Sequence, residues 1–81
     1  MQNLYSIKDH KIGFTTIFIA PNNAAAIRMF GDTVRDKSSM LGQHPEDYAL
    51  YGLGTMDDNT GELTSETKFL ENAITFATEK K

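Results

Sequence analysis

The sequence predicts one α+β domain: a small antiparallel sheet of three to four strands with one central helix and a C-terminal helix. Three observations carry this reading. Several short segments are dense in β-branched and aromatic residues and are bounded by Gly, Pro, Asn and Asp. Two other segments place apolar residues at helical spacing. The chain has 81 residues, enough for a single core and no more.

Leu4 to Lys8 reads as the first strand, with Tyr5 and Ile7 on one face and Ser6 and Lys8 on the other. Asp9-His10-Lys11 breaks it, and Gly13 permits a turn. Phe14 to Ala20 is the strongest strand signal in the chain. Its Phe14 and Phe18 are expected on one face, with Ile17 and Ile19 alternating onto the other. Both faces are then apolar, and one helix covers only one of them. Pro21 ends the strand, and Asn22 or Asn23 offers an N-cap for a helix to about Arg35. Ala26, Ile27, Phe30 and Val34 form its apolar stripe, while Arg28 and Arg35, one heptad apart, share the outer face with Asp32 between them. Gly31 inside this helix points to close packing against a strand.

Asp36 to Asp47 is a loop rich in Lys, Ser, Gly and Pro. Tyr48 to Met56 is a third strand, Asp57 to Gly61 a turn, and Glu62-Leu63-Thr64 a short fourth strand. Ser65 is the expected cap of a C-terminal helix reaching Lys80-Lys81, with Phe69, Leu70, Ala73, Ile74, Phe76 and Ala77 as its apolar face. That helix is the natural cover for the second sheet face. The domain thus spans 1–81, with 65–81 helical.

A chain of this length buries only roughly 60–65% of its unfolded surface. Small folds of this kind often recruit a second subunit, and the two apolar faces of Phe14 to Ala20 predict a homodimer. No cysteine is present, which excludes a disulfide framework, a thiolate zinc site and a cysteine nucleophile. No apolar run approaches the ~20 residues of a membrane-spanning helix, and the N-terminus has no signal-peptide pattern. The expectation is an intracellular protein with no membrane partner.

The net charge of −3 argues against a simple polyanion binder. Its distribution is uneven: residues 1–39 carry +2 and residues 40–81 carry −5, with five acids and no base from Glu46 to Glu62. Candidate chemistry is sparse. Asp57-Asp58-Asn59-Thr60-Gly61 fails as a calcium loop, because the Gly comes one position early and the twelfth position is Lys68. His10 and His44 lie in polar loops without a spaced partner ligand. Glu46 and Asp47 follow His44-Pro45, a sequence able to start a short helical turn. Ser6, Ser38 and Ser39 lack a nucleophile-elbow context, and Gly52-Leu53-Gly54 precedes no phosphate-binding helix. No catalytic residue, cofactor or metal site is expected.

One constellation remains: Tyr5, Lys8, Lys11, Phe14, Phe18, Arg28 and Arg35 combine cations with aromatic rings. Single-stranded nucleic acid is bound by such a mixture, cations tracking the phosphates and rings stacking on bases. Of these, Tyr5, Lys8, Lys11, Phe14, Arg28 and Arg35 are the candidate nucleic-acid-binding residues.

Three stretches also carry a family resemblance: Leu4-Tyr5-Ser6-Ile7-Lys8-Asp9; Ala26-Ile27-Arg28-Met29-Phe30; and His44-Pro45-Glu46-Asp47-Tyr48-Ala49-Leu50-Tyr51 with Gly54, Asp57-Asp58 and Gly61-Glu62. In this order and spacing, over roughly residues 4 to 64, the chain resembles the small non-structural protein of the gokushoviruses, single-stranded DNA phages of the Microviridae. The resemblance implies a protein of the host bacterial cytoplasm, absent from the virion, that acts in viral DNA replication or packaging. It implies as partners single-stranded DNA, the replication initiator or the procapsid, and it brings no catalytic residues.

Two functional expectations follow. One is an accessory factor that binds single-stranded DNA through the basic and aromatic residues above. The other is a protein-interaction module whose acidic stretch, Glu46 to Glu62, meets a basic initiator or procapsid protein without touching DNA.

Overall fold

The computed structural model describes residues 1–77. Four strands, β1 (Gln2–Asp9), β2 (Gly13–Ala20), β3 (Tyr48–Met56) and β4 (Leu63–Asn72), form one antiparallel sheet in the order β2-β1-β3-β4. Helix α1 (Asn23–Arg35) packs on one face of it together with the short helices α2 (Met40–Gln43) and α3 (Ala73–Ala77). The fold is α+β, in two layers. Among the described residues no helix is long and apolar enough to cross a membrane.

The core lies between the sheet and α1. Tyr5 from β1, Ala20 from β2, Tyr48 and Leu50 from β3, Ala26, Phe30 and Val34 from α1, and Ala73 from α3 are its buried members. Tyr5 and Ile7 do share the helix-facing side of β1, as alternation requires. Asn22 is the N-cap of α1, its side chain accepting from the Ala25 N–H at 2.8 Å. The segment expected as a loop, with a short helical turn possible after His44-Pro45, folds into two short helical pieces. Ser39 caps α2, accepting from Gly42 N at 3.0 Å, and Pro45–Asp47 forms a 3-10 turn that leads into β3.

The turn between β3 and β4 uses Asp57 as its organiser. Its Oδ1 accepts from the Asn59 N–H at 2.8 Å, and its carbonyl from Gly61 N at 2.7 Å, with Gly61 at φ 78°. The Asp57 carboxylate is thus occupied in closing the turn.

Three expectations are corrected. First, no helix begins at Ser65: residues 63–72 are strand, and α3 spans only Ala73–Ala77. The apolar spacing Phe69, Leu70, Ala73, Ile74, Phe76 fits a helix, but Thr64, Thr67 and Phe69 favour strand. Pairing decides it. A helix from Ser65 would leave the outer N–H and C=O groups of β3 unmatched along its length, whereas β4 bonds them from Ala49 to Met56. The Lys80-Lys81 end of the expected helix lies outside the described residues.

Second, Phe14 and Phe18 do not share a face. Ser6 pairs with Ile17 but Lys8 pairs with Phe14, so β2 holds one extra residue at Thr15-Thr16. This β-bulge reverses the alternation beyond it. Thr15 marks the spot, its hydroxyl donating to the Ile7 carbonyl at 2.8 Å. Phe18 stays on the helix side, 5.7 Å from Tyr5, and Phe14 turns to the opposite side with Ile17 and Ile19.

Third, the close packing at Gly31 is against a helix rather than a strand. A Cβ there would lie 3.0 Å from two ring carbons of Phe76 in α3. Phe76 also meets Phe30 edge-on at 6.0 Å. Helix α3 therefore joins α1 on the covered side of the sheet. It does not cap the second face, and no described residue covers that face.

Candidate nucleic-acid interface

The uncovered sheet face carries a row built from one residue of each strand. In spatial order these are Phe14 (β2), Lys8 (β1), Tyr51 (β3) and Phe69 (β4). Ladder pairing sets the row: Lys8 opposes Phe14, and Tyr51 opposes Phe69. The rings meet edge to face, Phe14 to Tyr51 at 5.2 Å and 84°, Tyr51 to Phe69 at 5.7 Å and 78°. The Lys8 ammonium lies 5.6 Å from the Phe14 centroid and 5.8 Å from that of Tyr51. Such cation–π contacts contribute about 0.5–1 kcal/mol each at exposed sites and hold the ammonium above the rings.

Phe14 and Tyr51 belong to strands separated by β1, so their rings lean over it to touch. The residue beneath is Ser6, the ladder partner of both Tyr51 and Ile17. It is fully buried, and its hydroxyl has no hydrogen-bond partner among the described residues. A small side chain here leaves the space the two rings close over. Phe14 and Phe69 are each about half exposed, at 47% and 49%, and Ile17, Ile19 and Leu63 extend the apolar surface around them.

The expected site residues separate. Lys8 and Phe14 come together on this face. Tyr5 does not: it is a core residue, its hydroxyl donating to Asn23 Oδ1 at 2.8 Å, and burial raises its phenol pKa. Lys11 stands at the β1–β2 turn, its ammonium 3.7 Å from Asp47 Oδ2. Arg28 is exposed on α1, in the other layer of the molecule. Arg35 lies 5.2 Å over the Phe76 ring and 3.3 Å from Asp32, a structural position on the helical side. Sequence reasoning missed Tyr51 and Phe69. Alternation within β3 marks Tyr51 as opposite in facing to the core residue Leu50. Phe69 was hidden by its place in an apparent helical stripe.

The acidic stretch is largely engaged in local contacts. Asp47 accepts the Lys11 contact, Asp57 closes its turn, and Asp58 pairs with the Met1 ammonium at 2.9 Å, a hydrogen bond that lowers its carboxyl pKa. His44, Glu46 and Asp47 bring their ligand-type atoms within 4.8 Å of one another on the 3-10 turn. On the covered side, Asn3, Tyr5, Asn23, Glu66 and Lys68 line an open recess of about 130 Å³. Ligand pockets are typically larger than roughly 300 Å³.

Fold and face together define a class: a two-layer α+β module whose sheet presents an uncovered aromatic row with a central cation. The chain belongs to the Phage ORF5 protein family, whose model matches residues 2–76. No curated protein and no solved structure matches it. The family match takes in β4 and nearly all of α3, so the row from Phe14 to Phe69 lies wholly within it.

Proposed function

We propose that this phage protein is the accessory factor of a gokushovirus that binds single-stranded DNA on its open sheet face during replication or packaging of the viral genome. The observation that carries the reading is the four-strand row Phe14–Lys8–Tyr51–Phe69. Bases offer π-faces of any sequence to such rings, and the ammonium offers a phosphate partner. A duplex keeps its bases stacked away from a flat sheet, so single strands are the preferred ligand. The sequence resemblance supports the viral setting, and membership of the phage family is consistent with it.

The test is fluorescence anisotropy of labelled single- and double-stranded oligonucleotides at low and near-physiological salt. Single strands are expected to bind more tightly, with log K falling linearly in log salt at a slope of about −0.7 per phosphate neutralised. Tyr51→Ala and Phe69→Ala should each weaken binding by roughly 5- to 160-fold, the range of about 1–3 kcal/mol per stacked base. Lys8→Glu should weaken it and flatten the salt slope, while Arg28→Glu on the helical layer should leave both nearly unchanged. Wild-type protein that ignores single strands even at low salt overturns the reading and leaves contact with the initiator or procapsid proteins as the role to test.

A further inference from the structure

The two edges of the sheet are defended unequally. Strand β4 carries Glu66, Lys68 and Glu71 and breaks register twice against β3. Charges and bulges of this kind are how natural sheets prevent edge-to-edge pairing. Strand β2, Gly13-Phe14-Thr15-Thr16-Ile17-Phe18-Ile19-Ala20, has no charged residue and no proline. Its bulge lies at Thr15-Thr16, and from Ile17 to Ala20 the register against β1 is unbroken. Every second N–H and C=O of that segment points away from β1, toward a strand position that no described residue fills.

The wall along this edge is apolar on both sides. Ile17 and Ile19 stand above it on the open face, 60% and 48% exposed. Below it, Phe18 borders an apolar recess with Ile7, Met29, Phe30 and Thr33, and Met29 is 47% exposed. We infer that this edge is a homodimer seam, in which β2 of one copy pairs antiparallel with β2 of a second copy about a two-fold axis perpendicular to the sheet.

Self-pairing fits for three reasons. An antiparallel pair of identical strands is isologous, each copy presenting the same patch. Directly opposed residues must share a face, and the register centred on Phe18 does this while placing Ile17 of one copy beside Ile19 of the other. Because β2 is uncharged, two chains of net charge −3 meet without like charges at the seam. In that register Thr16–Ala20 of the two copies oppose one another, a ladder of about 16 Å. With the 19 Å thickness of the molecule the wall is roughly 300 Å² per copy, at the small end of protein interfaces.

The axis sets what the dimer does. Perpendicular to the sheet, it keeps both open faces on the same side, so two Phe14–Lys8–Tyr51–Phe69 rows share one eight-stranded surface. This consequence rests on the DNA reading proposed above; the seam itself does not. A strand long enough to reach both rows should bind on the order of 100-fold more tightly than one that reaches a single row.

Light scattering on the eluting full chain tests the seam, with Ile17→Lys as the disruptive variant and Leu63→Lys on β4 as the control. Both positions are more than half exposed, so neither change empties the core. The wild type and Leu63→Lys are expected at twice the monomer mass and Ile17→Lys at the monomer mass. A second test needs no charge: mixed Ile17→Cys and Ile19→Cys chains should form a heterodisulfide under mild oxidation, since the natural chain has no cysteine, whereas Thr67→Cys should not cross-link. A monomeric wild type, an Ile17→Lys protein still dimeric, or no cross-link at the β2 positions each overturns the proposal. A dimer without DNA affinity keeps the seam and removes the DNA reading; a monomer that binds single strands does the reverse.

Discussion

Gly54 is where a single side chain would do most damage. It sits in β3 at φ 135°, and a Cβ built there would overlap the Thr64 carbonyl oxygen of the paired strand. Gly61 also has positive φ, at 78°, but nothing lies within 4 Å of where its Cβ would be. The two glycines therefore separate conformational strain from steric collision. Gly61→Ala should cost about 1 kcal/mol, the left-handed penalty alone. Gly54→Ala should cost roughly 3 kcal/mol or more, because backbone must also move. Urea denaturation of the two variants measures the difference. Two tyrosines give a further residue-scale expectation. Burial raises the phenol pKa of both Tyr5 and Tyr48, and at Tyr48 the nearby Asp9 and Asp47 charges and the hydrogen bond to Asp9 raise it further. A raised folded value means the stabilisation is complete below the ordinary phenol value near 10.0 and is lost as pH climbs through the folded value. The melting temperature should fall steeply above about pH 10, and Tyr5→Phe with Tyr48→Phe should flatten that fall. An equally steep alkaline fall in the double variant would place its cause elsewhere.

At the scale of elements, legibility tracked how local the deciding interaction is. Helix α1 was readable because its cap, its alanines and its stripe lie within its own residues, and Asn22 caps it as expected. The first three strands were readable from their own composition. Residues 65–72 were not, because their state is set by a partner: Phe69 and Leu70 fit one helical stripe or the two faces of a strand, and only β3 beside them chooses. The open-face row was half legible for the same reason. Residue type singles out Lys8 and Phe14, which stand on it, and equally Tyr5, which is buried in the core, because a buried tyrosine and an exposed one look alike in sequence. Tyr51 and Phe69 reach Phe14 only through the registers of three ladders, which composition does not encode.

The whole molecule is one-sided. All three described helices pack on one face, and Phe14, Ile17, Ile19, Leu63 and Phe69 stand exposed on the other, alongside the separate exposed residues Met29, Met40 and Ile74 on the helices. An uncovered apolar face of this kind on a small chain marks a binding surface. The Phe14 ring reaches the open face because the extra residue at Thr15-Thr16 in β2 is taken up in a bulge. Deleting Thr16 should remove the bulge and leave plain alternation over Phe14, Thr15 and Ile17, with Phe14 still opposite Lys8 on the open face. The expected readouts are retained nuclear Overhauser contacts between the Phe14 and Tyr51 rings and single-strand binding close to that of the wild type. Loss of those contacts would mean that the extra residue itself, and not the ladder with β1, orients Phe14. Strand β2 thus carries slack. The bulge takes up one residue, so the chemistry of the surface is set by the ladder partners of Phe14 and Ile17 and tolerates one residue fewer between them.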